Sequence, residues 1–258
     1  MVLEICVDSV ESAIAAQSGG AQRVELCSSL IEGGVTPSSG LIGAVRECLS
    51  IPVFTIIRPR GGDFFYSSEE FAVIKKDIAA AHAQRADGVA LGVLLRDGQV
   101  DVERTRELVE LARPMEVTFH RAIDWARDLE EALEQVIEAG ADRILTSGGA
   151  QTAMLGASRI ARMVAKADRR IGVMVCGTVR KDNIGELARR THALEFHASL
   201  RKPTNSPVTY RNEMLSLSEP GVDEFARYAV AAEDVRALRD ALTTVRDGEF
   251  VRTSPPRL

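Results

Sequence analysis

Short apolar runs separated by stretches of helical period recur along the whole chain. Strands are predicted at 2–7, 23–27, 53–57, 88–93, 117–120, 143–146, 171–176 and 193–197. Helices are predicted after Asp8-Ser9-Val10-Glu11, which reads as a capping box, and at 39–49, 68–85, 102–111, 129–139, 157–167 and 183–190. A loop covers 32–37, and a long polar connection covers 201–222. A last helix at 234–245 is followed by a frayed tail at 248–258. The run Val117-Thr118-Phe119, β-branched and aromatic, favours a strand. It ends in His120, Arg121 and Asp124, which is how an α/β protein presents chemistry at a strand's carboxyl end.

Eight strands alternating with helices give the α/β class with parallel βα units. The unit repeats visibly: Gly20-Ala21-Gln22-Arg23-Val24 matches Gly140-Ala141-Asp142-Arg143-Ile144, and Ala86-Asp87-Gly88-Val89 is a weaker copy. Eight units favour closure into a single (β/α)8 TIM barrel over residues 1–247. No Gly-x-Gly-x-x-Gly follows the first strand, which counts against a dinucleotide fold.

Period-two alternation then selects one face of each strand. It pairs Glu4 with Cys6, Glu25 with Cys27, Glu195 with His197, and Thr118 with His120. By the same parity Arg58 and Arg60 face inward. A mid-strand glutamate in an apolar run needs a polar interior, because an unpaired buried carboxylate is costly. These side chains are therefore expected inside the barrel, with Arg58 and Arg60 as partners for the acids. In a closed barrel, strands eight, one and two are neighbours, so His197, Cys6 and Cys27 are expected to approach one another. Cys48 reads as an apolar filler within its helix, and Cys176 is left open between filler and ligand. His82 and His192 read as surface residues, and Glu69-Glu70 and Lys75-Lys76 as solvated helix faces. Ser147-Gly148-Gly149 and Gly177 could present backbone N–H groups to an anion, though such turns are also what these connections need structurally. Every lysine is expected in a helix or loop, which argues against a strand-borne Schiff base. No His-x-His pair is present.

Composition narrows the classes further. The 258 residues are 45% hydrophobic and carry a net charge of −5, with no basic patch interleaved with aromatics, so nucleic acid is not an expected partner. No apolar run reaches the roughly 18 residues of a membrane helix. The acidic N-terminus is unlike a secretory signal, and four scattered cysteines do not form a disulfide framework. A cytoplasmic location is expected.

The chain resembles the CutC family, the copper-homeostasis proteins, over nearly its whole length. The resemblance rests on Glu4-Ile5-Cys6-Val7-Asp8-Ser9-Val10-Glu11-Ser12, Arg23-Val24-Glu25-Leu26-Cys27-Ser28, Glu32-Gly33-Gly34 with Thr36-Pro37-Ser38, and Ile57-Arg58-Pro59-Arg60-Gly61-Gly62-Asp63-Phe64. It also rests on Val117-Thr118-Phe119-His120-Arg121-Ala122, Arg143-Ile144-Leu145-Thr146-Ser147-Gly148-Gly149 and Glu195-Phe196-His197-Ala198-Ser199. It implies a cytoplasmic TIM barrel that assembles as a homo-oligomer, a dimer or tetramer, with Cu(I) on Cys6 and Cys27. Thiolates suit Cu(I). Where the family usually has Met-Pro-Gly-Gly-Gly, this chain reads Met174-Val175-Cys176-Gly177-Thr178. That change weakens an anion cradle and adds Cys176, beside His197, as a candidate third ligand. The alternative is a barrel enzyme acting on a small anionic substrate. There Arg58, Arg60, Arg121, Ser147, Gly148, Gly149 and Gly177 would bind the anion. His120 would be the acid/base, with Glu4, Glu25 or Glu195 as its carboxylate partner.

Overall fold

In the computed structural model, eight parallel strands close on themselves in chain order. They are β1 (Val2–Val7), β2 (Arg23–Leu26), β3 (Val53–Ile56), β4 (Gly88–Leu91), β5 (Glu116–Phe119), β6 (Arg143–Thr146), β7 (Gly172–Val175) and β8 (Glu195–Ala198). The helices between them are α1 (Val10–Gly19), α2 (Ser39–Cys48), α3 (Ser68–Ala83), α4 (Val102–Ala112), α5 (Leu129–Ala139), α6 (Ala153–Ala167) and α7 (Ile184–Thr191). The structure describes residues 1–212, 214–215 and 225–251, the last seven by backbone alone. No helix among the described residues is long and apolar enough to cross a membrane.

The sequence repeat marks a physical device. Gly20 and Gly140 end α1 and α5 in the left-handed conformation, which a glycine adopts without a Cβ penalty. The polar residue at the next strand's entrance then turns back to the strand before. Gln22 Oε1 accepts from Leu3 N–H at 2.7 Å, Asp87 Oδ2 from Val53 N–H at 2.8 Å, and Asp142 Oδ2 from Val117 N–H at 2.7 Å. Each copy thus locks the register of two neighbouring strands at the amino end of the barrel.

Several boundaries differ from the sequence expectation for local reasons. Ser9, in extended backbone, caps α1 by accepting from Ser12 N–H, so Glu11 takes no part in a capping box. The capping box lies instead at Ser67 and Glu70, which removes Glu70 from the merely solvated residues and makes Ser67 the cap of α3. Thr152 caps α6, which begins at Ala153, four residues before its predicted start. Cys48 is exposed rather than a filler, because α2 turns Ile42 and Val45 to the sheet and Cys48 away from it.

After β8 the connection is not structureless. Residues Lys202–Thr204 (β9) and Arg227–Ala229 (β10) pair antiparallel, which places Lys202 in a strand outside the barrel. Val230 N–H, at the hairpin's end, donates to Ser12 Oγ at 3.2 Å. The last helix, α8 (Ala232–Val251), begins earlier than expected and includes Gly248, first residue of the expected tail; residues 252–258 lie outside the described residues. Helix α8 packs between α1 and α7 and buries Val235, Leu238 and Leu242. Gly19 permits that contact, since a Cβ there would stand 2.5 Å from Val235 Cβ.

The main apolar core fills the ring between strands and helices. Inside the barrel, apolar packing is reduced to two small groups, Cys6, Cys27 and Ile56, and Leu145, Met174 and Cys176. The remaining interior is polar, so the barrel's axis carries the chemistry.

Candidate functional site

The barrel interior divides into two levels. At the amino ends of the strands, Arg23 ion-pairs with Glu4 through Nε and with Glu195 through Nη2 at 2.7 Å. Arg143 Nε meets the same Glu195 oxygen at 2.7 Å, and its Nη2 reaches Glu116 at 3.0 Å. Phe54 lies beneath both guanidinium groups, 4.8 Å from Arg23 and 5.3 Å from Arg143. Gly88 leaves room for that ring, since a Cβ would fall 2.5 Å from it. The cationic partners of Glu4, Glu116 and Glu195 are therefore Arg23 and Arg143, not Arg58 and Arg60, and neither Arg23 nor Arg143 pairs with Glu25. In the sequence both arginines fall within the turn repeat. The missed signal was parity, since Arg23, Glu25 and Cys27 share one face.

At the carboxyl ends, β8, β1 and β2 bring the soft donors together. Cys6 Sγ and Cys27 Sγ are buried and 3.7 Å apart, well beyond the roughly 2.05 Å of a disulfide. Glu25 Oε2 lies 3.5 Å from Cys27 Sγ and 3.9 Å from His197 Nε2. His197 Nδ1 is 2.6 Å from Glu4 Oε1, so Glu4 ties the upper level to the ion-pair layer below. Two sets of donor atoms converge closely enough to hold one ion: Cys6, Glu25 and Cys27, and Glu4, Glu25 and His197.

The electrostatics of this cluster are cooperative. The hydrogen bond from Cys27 lowers the Cys6 thiol to about 6 against its burial, with His197 assisting. The same contact, followed by burial, raises Cys27 well above an ordinary thiol. The contact therefore favours charge on Cys6 over charge on Cys27. Burial opposes charge on Glu4, yet Arg23 and His197 bring it down to about 2. Burial also opposes charge on His197, but Cys6, Glu4 and Glu25 raise it well above a free imidazole. Burial lifts Glu25 to about 8.

The other candidate residues are placed differently. Cys176 packs with Leu145 and Met174, apart from the two donor sets, and burial pushes its thiol well up. Arg60 leaves the interior: its guanidinium meets Glu70 and Asp63 and stands over Tyr66. The strand ends at Ile56, so parity carries as far as Arg58 and is lost before Arg60.

Arg58 is buried, and its Nη groups donate to the carbonyls of Glu32, Gly34 and Gly62. The Ser147-Gly148-Gly149 turn does hold an anion, and that anion is the chain's own Asp124. Its carboxylate accepts from Ser147 N–H at 3.0 Å and Gly149 N–H at 2.9 Å. Thr146 Oγ1 donates to it at 2.6 Å, while Arg121 pairs with it and also donates to Ser147 Oγ. Gly177 offers its carbonyl to Ala153 N–H at the start of α6.

His120 is buried after β5. Its Nδ1 accepts from Ala122 N–H at 3.2 Å, which assigns the proton of the neutral ring to Nε2. Burial, then Arg58, lowers its pKa to about 3, so the ring is neutral at pH 7. A cavity of about 200 Å³ opens at this end. Its wall includes Cys6, Glu25, His197, Arg58, His120 and Phe64.

A model of the CutC family matches residues 1–202. The chain belongs to the CutC family. A family protein CutC of Chromobacterium violaceum is 51% identical over 93% of this chain and 98% of its own length. The copper homeostasis protein cutC homolog of Mus musculus is 42% identical over 95% of this chain and 90% of its own. The crystal structure of a CutC protein from Streptococcus agalactiae superposes with a TM-score of 0.73 at 29% identity, covering 76% of this chain and 97% of that one. A thiamine phosphate pyrophosphorylase from Pyrococcus furiosus, at TM-score 0.59 and 18% identity over 95% of this chain and 96% of its own, shares the fold alone.

Proposed function

We propose that this protein handles copper as cargo, binding Cu(I) through Cys6 and Cys27 at the mouth of the barrel. The observation that carries the reading is the pair of buried, unbonded sulfurs 3.7 Å apart on adjacent strands. Soft thiolates select Cu(I) over hard cations, and no other pair of sulfur donors is joined in this way among the described residues. Glu25 and His197 lie beside the pair and supply candidates for a third ligand, while Cys176 sits in a separate packing group. The names of the murine relative and of its human counterpart, both copper homeostasis protein cutC homologs, point the same way.

Two free thiols in contact suit a reducing compartment, and we place the protein in the cytoplasm. Self-association as a dimer or tetramer completes the reading. Light scattering on the purified chain tests that part.

The copper reading is tested by titrating the reduced protein with Cu(I) against a colorimetric chelator. Stoichiometric competition is expected. The Cys6→Ser, Cys27→Ser double variant is expected to lose it, and unchanged competition in that variant overturns the assignment.

A further inference from the structure

Arg58 and His120 share a property that copper binding does not use. Both are more than nine-tenths buried, at 5% and 4% exposure, and both line the mouth cavity. Each also carries an N–H group with no acceptor, Nε of Arg58 and Nε2 of His120. Buried donors are almost always satisfied in folded proteins, so two unsatisfied ones in one cavity wall call for a missing acceptor.

The missing acceptor is an anion. Arg58 donates only to backbone carbonyls, and no carboxylate pairs with it among the described residues. The Tyr66 hydroxyl interacts with this guanidinium but stays neutral, so it supplies no counter-charge. A buried cation without a counter-charge is costly. The other two arginines of the cavity wall are already neutralised, Arg121 by Asp124 and Arg201 by Asp8.

We infer that Arg58 and His120 form the polar end of a binding site for a small organic carboxylate in the barrel mouth. The guanidinium supplies the positive charge, and the neutral imidazole supplies a directed Nε2–H hydrogen bond to a carboxylate or neighbouring carbonyl oxygen. Leu30, Ile56, Phe64 and Leu145 cover the carbon skeleton, which is why a carboxylate suits this wall better than inorganic phosphate. A cavity of about 200 Å³ limits the ligand to a few heavy atoms. The Phe64 ring stands 5.0 Å from the Arg58 guanidinium and 5.1 Å from the imidazole, so it borders both polar groups. In this arrangement His120 is a hydrogen-bond donor and not a proton acceptor, since its Nδ1 is held by Ala122 N–H.

The test uses the full chain without added metal, so its outcome is independent of the copper reading. Pyruvate and inorganic phosphate serve as probes, in separate titrations. Binding is read from the 15N shift of the His120 Nε2 and from the thermal midpoint. Pyruvate is expected to saturate at or below millimolar concentration and to move both signals. His120→Gln, which keeps an N–H donor near the same place, should retain affinity within about 3-fold. His120→Phe should lose about 10-fold, the value of one hydrogen bond near 1.4 kcal/mol. Arg58→Met should abolish binding. If that variant fails to fold, the His120 pair still decides. No saturation by pyruvate, saturation by phosphate alone, or equal pyruvate affinity in wild type and His120→Phe overturns the inference.

Discussion

The two levels of the barrel interior are built from similar residues and behave in opposite ways. Below, Glu4, Glu195 and Glu116 are all met by Arg23 and Arg143, with His197 as a further partner on Glu4. Above, two thiols meet without forming a disulfide, and Arg58 and His120 keep N–H groups with no acceptor among the described residues. A closed network of ion pairs has no valence to spare and serves the fold. Unmet donors are held against their own cost by the surrounding structure, and such positions mark function. The contrast teaches that charge inside a barrel is by itself no sign of a site. What marks the site is charge or donor capacity left over after the chain's own partners are counted.

The largest effect is expected in the lower level. Arg23→Met leaves Glu4 and Glu195 without their shared cation, and breaking such a buried pair costs about 3–5 kcal/mol. Urea denaturation of the variant measures this, and a loss below about 1 kcal/mol breaks the contrast. Next comes Asp124→Ala, which strands the N–H groups of Ser147 and Gly149 at about 1–3 kcal/mol. The same denaturation series reads it, and Asp124→Asn should lose less.

A third effect is set by pH. His120 is lowered from 6.5 to about 3 in the fold, so between those values the unfolded chain binds the extra proton. The stability that the neutral ring confers is fully present above about 6.5 and drains away as pH falls toward 3. Midpoints measured from pH 7 down to 4 should fall more steeply for wild type than for His120→Gln. Parallel curves would remove the buried, neutral imidazole from the account. The smallest effect is expected at the mouth itself. His120→Phe removes the unpaired Nε2 donor but also the Nδ1 acceptor of Ala122 N–H, stranding one buried N–H where Asp124→Ala strands two, a cost of about 1–2 kcal/mol. A loss as large as that of Arg23→Met would place His120 in the structural class instead.

Much of this was legible in the sequence because strands obey a strict period of two. Glu4, Cys6, Glu25, Cys27 and His197 were assigned to one interior, and eight βα units put their strands side by side. Legibility failed where the strand geometry stops. Arg60 lies beyond the end of β3, inside the bend over residues 59–62, and its side chain goes to Glu70. Asp124 reaches the Ser147-Gly148-Gly149 turn only through the 3₁₀ turn over Arg121–Trp125, a tertiary contact with no sequence period to announce it. The pairing of Arg23 and Arg143 with the glutamates was visible in parity, but the turn repeat around them explained their presence equally well. Whether a buried N–H is satisfied is a property of three dimensions alone, and so neither Arg58 nor His120 could be recognised as carrying a spare donor.

The most direct test of the upper level as a site is X-ray absorption at the copper edge of the Cu(I)-loaded protein. The account predicts two sulfur scatterers around copper that disappear in the Cys6→Ser, Cys27→Ser variant. A shell of nitrogen and oxygen alone, or a sulfur shell that survives in the double variant, would contradict it.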